Sequence, residues 1–236
     1  MAIEWVFFDV GDVLFSEDAQ HTYYFHSLLL AMRRNGVDVQ WDDYLARIQR
    51  RIRLSPMTSV VDAGREFVPD ETLWKKIFRE GRAEYEEMRK PRPYGMLLDG
   101  ITNVLADLKR DFRLGIIANQ HPPIVQAFAD YGIAPYFDVV AIDEIVGVSK
   151  PDPAIFRWAL EKAGCVPQQA IMIGDRADVD IAPARKLGMP TIRFQRGIFY
   201  TNYDPRVPEE FADLVVRETS RLPDAVRRLA ALNENK

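Results

Sequence analysis

The chain has 236 residues and a mass of 27.1 kDa, enough for one large or two modest domains with a substantial core. Apolar residues make up 47% and charged ones 28%, and 31 basic against 35 acidic side chains leave a net charge of −4. That balance excludes a disordered chain, collagen and a polybasic nucleic-acid binder, and no apolar run reaches the roughly 18–20 residues of a bilayer span. The start of the chain carries Glu4 and leads into Asp9 without a basic flank or cleavage site, so an unexported, cytoplasmic protein is expected. The single cysteine, Cys165, cannot form an intramolecular disulfide, which fits a reducing compartment.

In chain order, short apolar runs occur at 3–8 (IEWVFF), 114–118 (LGIIA), 137–142 (FDVVAI), 170–173 (AIMI), 191–194 (TIRF) and 213–216 (DLVV). Their lengths suit strands of a parallel sheet buried on both faces. Helical patterns lie between them. Leu97, Leu98, Ile101, Val104, Leu105 and Leu108 share one face, as do Phe156, Ala159, Leu160 and Ala163. Asp152 and Pro153 read as the cap and first residue of the second of these helices, placing Lys150–Pro151 in a loop. Residues 17–92 break the alternation with three amphipathic segments, around Phe25–Met32, Trp41–Ile52 and Trp74–Met88. Gly36 and the Pro56 region punctuate them, and Pro91 with Pro93 closes the stretch. The expected fold is α/β, a Rossmann-like parallel-sheet core (1–16 and 93–236) with an inserted all-helical domain (17–92). Residues 197–210 read as a loop before a last strand and a helix at about 221–232.

Asp9, Asn119, Lys150 and Asp175 each follow an apolar strand, so a parallel sheet brings them to one edge. Open α/β sheets bind ligands at that edge. Any one of them alone reads more simply as a turn former, a cap or a solvated loop cation. Asp178 and Asp180 alone read as first-turn residues of a helix. The conjunction of all of them argues for chemistry.

Taken together, FFDVGDVLF, IIAN, GVSKPDPAIF and IGDRADVD resemble, in order, the motifs of the haloacid dehalogenase-like hydrolases, over essentially the whole chain. The insertion is similar to the cap placed after the first motif in the members that act on small molecules. The resemblance implies a phosphatase in which Asp9 attacks phosphorus to form an aspartyl-phosphate. Asp9, the Gly11 carbonyl and Asp175 would hold Mg2+, a hard cation that takes oxygen ligands. Lys150 would place positive charge on the phosphate oxygens, Asn119 would help bind the phosphate, and Asp180 would orient Lys150 or a metal-bound water. It implies a small phosphorylated substrate, a monomer or homodimer, and neither nucleic acid nor membrane as partner.

Two positions depart from the family pattern. The second aspartate that usually serves as general acid and base is replaced by Gly11, and Asp12 stands one residue late, so it substitutes only if the turn there is unusual. Ala118 replaces the Ser or Thr that binds phosphate, leaving Gln120 and His121 as candidates to compensate. His121 and Arg51, the latter in a cluster with Arg47, Arg50 and Arg53 that suits an anionic group on the substrate, are further substrate candidates. Two other functions compete. A metal-independent 2-haloacid dehalogenase also uses a strand-end Asp, although Asp175 and Asp180 suit magnesium better. A non-catalytic module binding a phosphorylated ligand is motivated by Gly11 and Ala118.

Overall fold

The computed structural model describes residues 1–54, 59–90, 94–197 and 203–234. The Pro56 turn, Pro91, Pro93 and Tyr200 lie outside the described residues. The chain divides into two compact units, one of Met1–Ser16, Met96–Arg196 and Pro205–Lys236, the other of Glu17–Gly95 with Gly197–Asp204.

In the first unit, β1 (Trp5–Phe8), β4 (Arg113–Ala118), β5 (Phe137–Ile142), β6 (Ala170–Gly174), β7 (Thr191–Phe194) and β8 (Leu214–Val216) form a six-stranded sheet in the order β5-β4-β1-β6-β7-β8. Every pairing is parallel. Both faces of β1 are covered, and Trp5, Val6, Phe7 and Phe8 are buried, which is why its sequence is continuously apolar rather than alternating. Gly115 of β4 is required by packing: a Cβ there would come 2.5 Å from the Phe7 ring and 3.1 Å from the Val139 carbonyl. The helices of this unit are α5 (Ile101–Leu108), α6 (Ile124–Asp130), α7 (Asp143–Val146), α8 (Pro153–Ala163), α9 (Ala182–Leu187) and α10 (Leu222–Glu234). Helix α8 lays Ile155, Phe156, Ala159 and Leu160 against Trp5, Phe7, Ile117 and Met172 of the sheet. Its start is the expected one, with the Asp152 carboxylate accepting the Ala154 N–H at 2.8 Å and Pro153 as the first helical residue.

Leu97 is not helical. It forms β3 (Met96–Leu97), which pairs antiparallel with β2 (Phe15–Ser16) where the chain leaves and rejoins this unit. The pairing with β2, a distant segment, overrides the helical spacing of Leu97 and Leu98 with Ile101. The helix proper begins after Gly100, whose φ of 77° is a left-handed conformation that suits glycine.

Among its described residues, the second unit contains four helices, α1 (Asp18–Arg34), α2 (Trp41–Leu54), α3 (Ser59–Arg65) and α4 (Glu71–Arg89). Phe25, Leu28, Leu29 and Met32 of α1, Tyr44, Ile48 and Ile52 of α2, and Trp74 and Ile77 of α4 are buried as their periodicity requires. Met88 is 42% exposed and is not part of that core. Helices α1 and α4 approach closely at Gly81, where a Cβ would meet the Leu28 backbone at 3.1 Å. The insertion expected over 17–92 runs on to Gly95, and Gly197–Asp204, assigned to the core from sequence, groups with it. Among the described residues, no helix is long and apolar enough to cross a membrane.

Candidate active site

Strand β1 lies between β4 and β6, so the chain proceeds from it to one side (β4, β5) and then crosses to the other (β6, β7, β8). The carboxyl end of such a strand borders the crevice in which open α/β sheets hold ligands. Asp9 is the first residue past β1, and its main-chain N–H is held by the Ile173 carbonyl at 2.9 Å.

Lys150 is 4% exposed and donates from Nζ to Asp9 Oδ1 at 2.7 Å and to Asp180 Oδ1 at 2.5 Å. Burial by itself would lower the lysine pKa; the Asp180 and Asp9 carboxylates overcome this and hold it above its ordinary value, so the ammonium stays charged. Asp180 is fully buried on a π-helical turn at Ala177–Ile181, and its Oδ2 accepts the Arg176 N–H at 3.0 Å. Burial pushes its pKa up to about 6 against the opposing pull of Lys150. The turn packs tightly: a Cβ on Gly174 would collide with the Asp180 side chain.

Asp175, 4% exposed, has its pKa raised well above the ordinary value, first by burial and then by the charges of Asp180, Asp9 and Asp12. Asp9, Asp175 and Asp180 each offer a carboxylate oxygen within 4.8 Å of the others. Three carboxylates are thus gathered closely in a largely buried place, with the Lys150 ammonium bonded to two of them. A divalent oxygen-seeking cation suits such a cluster, so the residues fit magnesium.

Asn119 is brought to the site, where it is bonded to the backbone of Lys150. Its Nδ2 donates to the Lys150 carbonyl at 2.9 Å, and its Oδ1 accepts the Lys150 N–H at 2.7 Å. Each end of the amide thus makes one hydrogen bond that fixes the lysine loop. Gln120 and Ser149 brace the same loop through Asp143, which accepts the Gln120 N–H and the Ser149 hydroxyl, each at 2.8 Å. His121 stands on the exposed rim with Nδ1 2.5 Å from Glu144 Oε1. Arg51 belongs to the helical unit, where it pairs with Glu66. Asp178 pairs with Arg176 at 2.6 Å.

The turn after Asp9 is unusual. Asp12 has φ 51°, a left-handed conformation in a residue other than glycine, and is only 1% exposed. Its N–H donates to the Phe15 carbonyl at 2.7 Å. Gly11 itself lies outside the left-handed region, so the missing side chain there is a chemical absence and not a backbone requirement.

Sequence reasoning missed Arg193 of β7, buried at 4% exposure, whose Nε donates to the Asp175 carbonyl at 3.1 Å. An arginine inside the apolar run TIRF was the available signal, since a buried charge needs a partner.

Residues 3–188 match the haloacid dehalogenase-like hydrolase family, and the chain belongs to it. Among curated relatives, it is 40% identical over 99 residues to glyceraldehyde 3-phosphate phosphatase of Methanopyrus kandleri, covering 42% of each chain. It is also 33% identical over 150 residues to phosphoserine phosphatase of Thermus thermophilus, covering 61% of this chain and 52% of that one. The matched segments thus span about two-fifths to half the length of these relatives. Among solved structures, it resembles the HAD hydrolase YfnB of Bacillus subtilis bound to magnesium, with TM-score 0.65 and 20% identity over 96% of this chain and 99% of that one. That likeness is one of fold.

Proposed function

We propose that the protein is a magnesium-dependent phosphatase for small phosphorylated molecules, working through an aspartyl-phosphate on Asp9. The observation that carries this reading is the Asp9–Lys150–Asp180 chain at the carboxyl end of β1, with Asp175 beside it. Lys150 holds Asp9 by one carboxylate oxygen, which fixes the direction of the nucleophile. A carboxylate oxygen of Asp9 attacks phosphorus and the bond from phosphorus to the ester oxygen breaks, its electron pair leaving with that oxygen. Water then attacks the same phosphorus and the P–O bond to Asp9 breaks with its electron pair returning to the carboxylate; one water proton stays on the released phosphate and the other goes to solvent, replacing the proton that the leaving oxygen took from it. Asp180 keeps Lys150 charged and aimed, and Asn119 positions its backbone. Asp9 and Asp175, with the Gly11 carbonyl, would hold Mg2+, which when bound lets an anionic carboxylate approach an anionic phosphoryl group. The relatives named phosphatases support the reaction class.

The test is phosphate release over sugar phosphates, nucleotides and acyl phosphates, with and without magnesium, beside chloride release from 2-haloacids. Magnesium-dependent phosphate release that Asp9→Asn abolishes in a folded protein is expected. Chloride release without metal, or phosphate release that survives Asp9→Asn, would overturn the proposal.

A further inference from the structure

Far along the sequence from the carboxylate centre, the helical unit gathers positive charge around one acid. Arg47, Arg50 and Arg51 stand at i, i+3 and i+4 on α2 and so share a face. All three reach Glu66, just past α3. Arg47 donates from NH1 to Oε2 at 2.9 Å, and Arg50 from NH2 to Oε2 at 2.8 Å and to Oε1 at 3.0 Å. Arg51 donates from Nε to Oε1 at 2.7 Å, with NH2 2.6 Å from the same oxygen. Arg47 is further fixed by stacking its guanidinium 4.1 Å from the centre of the Phe67 ring.

Three guanidinium groups converge on one carboxylate, and most of their N–H donors are unspent on Glu66. The arrangement does not explain itself as a staple between α2 and α3, because one arginine would close that pair and the others add mutual repulsion. Exposed ion pairs contribute little to stability in any case. A surface cavity of about 360 Å³ opens beside them, lined by Arg51, Asp62, Arg65 and Glu66. Arg65 is paired with Glu71 at 3.2 Å, and among the described residues Asp62 is the other acid on the lining. The guanidinium groups are within reach of solvent: the Arg47, Arg50 and Arg51 side chains are 40%, 63% and 37% exposed.

We infer that this cluster is a binding site for a small oxyanion of the phosphate class, with the Glu66 carboxylate holding the three arginines in place and competing with the ligand for them. Planar guanidinium forks match phosphate oxygens in geometry and charge, and their shared face presents several at once. Glu66 behaves as the bound anion of such a site: its slight burial would raise its pKa, and the hydrogen bonds from Arg51 and Arg47 with the Arg50 charge bring it below the ordinary value instead. The inference is independent of the phosphatase reading, since it concerns binding by other residues in the other unit.

The competition gives the test opposite signs. Inorganic phosphate is titrated calorimetrically into the full-length protein in EDTA, at constant ionic strength set with chloride. Arg50→Gln and Arg50→Gln/Arg51→Gln are expected to weaken phosphate binding, by about tenfold for each charge-assisted hydrogen bond removed. Glu66→Gln, which removes the competitor and keeps the shape, is expected to strengthen it several-fold. The inference is overturned if the wild-type protein does not bind phosphate at 10 mM, on the order of the weakest useful affinity, or if the arginine variants bind it unchanged, which would place the anion at other residues. Weaker binding in a folded Glu66→Gln protein would equally overturn it. Arg50, the most exposed of the three, can be replaced without threatening the fold, so its single variant decides the matter if Glu66→Gln is unstable.

Discussion

Replacing Lys150 with methionine isolates the electrostatics of the centre from its catalysis. The ammonium is almost wholly buried and is bonded to Asp9 and Asp180, the latter with no exposed surface. Removing one partner from a buried ion pair costs about 3–5 kcal/mol, because the remaining charge is left without compensation. Here that cost is limited by protonation. The Asp180 pKa already stands at about 6 with the lysine present, and the Asp175 pKa is raised by burial and like charge. Without Lys150 the Asp180 value moves higher still. A carboxyl whose pKa is higher in the folded state than in the unfolded state favours folding while it keeps its proton, and that contribution is lost as pH rises through the folded value. The variant is therefore expected to be near wild type at pH 5 and to lose about 3–5 kcal/mol by pH 8. Urea denaturation of both proteins in EDTA at the two pH values measures this. A loss of about 1 kcal/mol or less at pH 8, the worth of an exposed pair, or an equal loss at both values, would refute the account of Lys150 as the buried counter-charge.

Three further outcomes follow from the same geometry. With Gly11 where the usual acid would stand, wild-type turnover should favour aryl and acyl phosphates over alkyl esters; since Gly11 does not need a left-handed φ, Gly11→Asp should fold and raise alkyl-ester turnover by up to about 10²-fold. A wild-type rate independent of leaving-group pKa would show that another residue already supplies the proton. Gly174→Ala should abolish most turnover, because its methyl would have to displace the Asp180 side chain from Lys150, and unchanged kcat would mean that the position of Asp180 is dispensable. The rise in melting temperature on adding magnesium should be larger at pH 8 than at pH 5, since Asp175 binds a cation only when deprotonated; equal rises would place the cation elsewhere.

The sheet was legible because its strands are buried on both faces, which leaves continuous apolar runs such as WVFF and AIMI. Helix α3 was not read from the sequence, since Ser59–Arg65 is too short to display a period. Strand β3 was misread as helix because its cause, the pairing of Leu97 with Phe15, lies outside any local window. At the centre, the convergence of Asp9, Lys150 and Asp175 was visible as polar residues following apolar strands. The task of Asn119 was not: an amide that closes two hydrogen bonds on the Lys150 backbone looks in sequence like one free to meet a ligand. Asp12 was identified as depending on an unusual turn, and that turn is present, but only the backbone torsion reveals it.

The central place of β1 shapes how the chain is made. Its neighbours are β4 and β6, so Trp5–Phe8 cannot complete their hydrogen bonds until residue 173 has been synthesised. At ribosomal speeds that wait is on the order of ten to thirty seconds. One edge of this apolar segment can pair once β4 is made, while the other stays unpaired until β6 arrives. Asp9, the proposed nucleophile, thus follows a segment whose second neighbouring strand is among the later ones to be made.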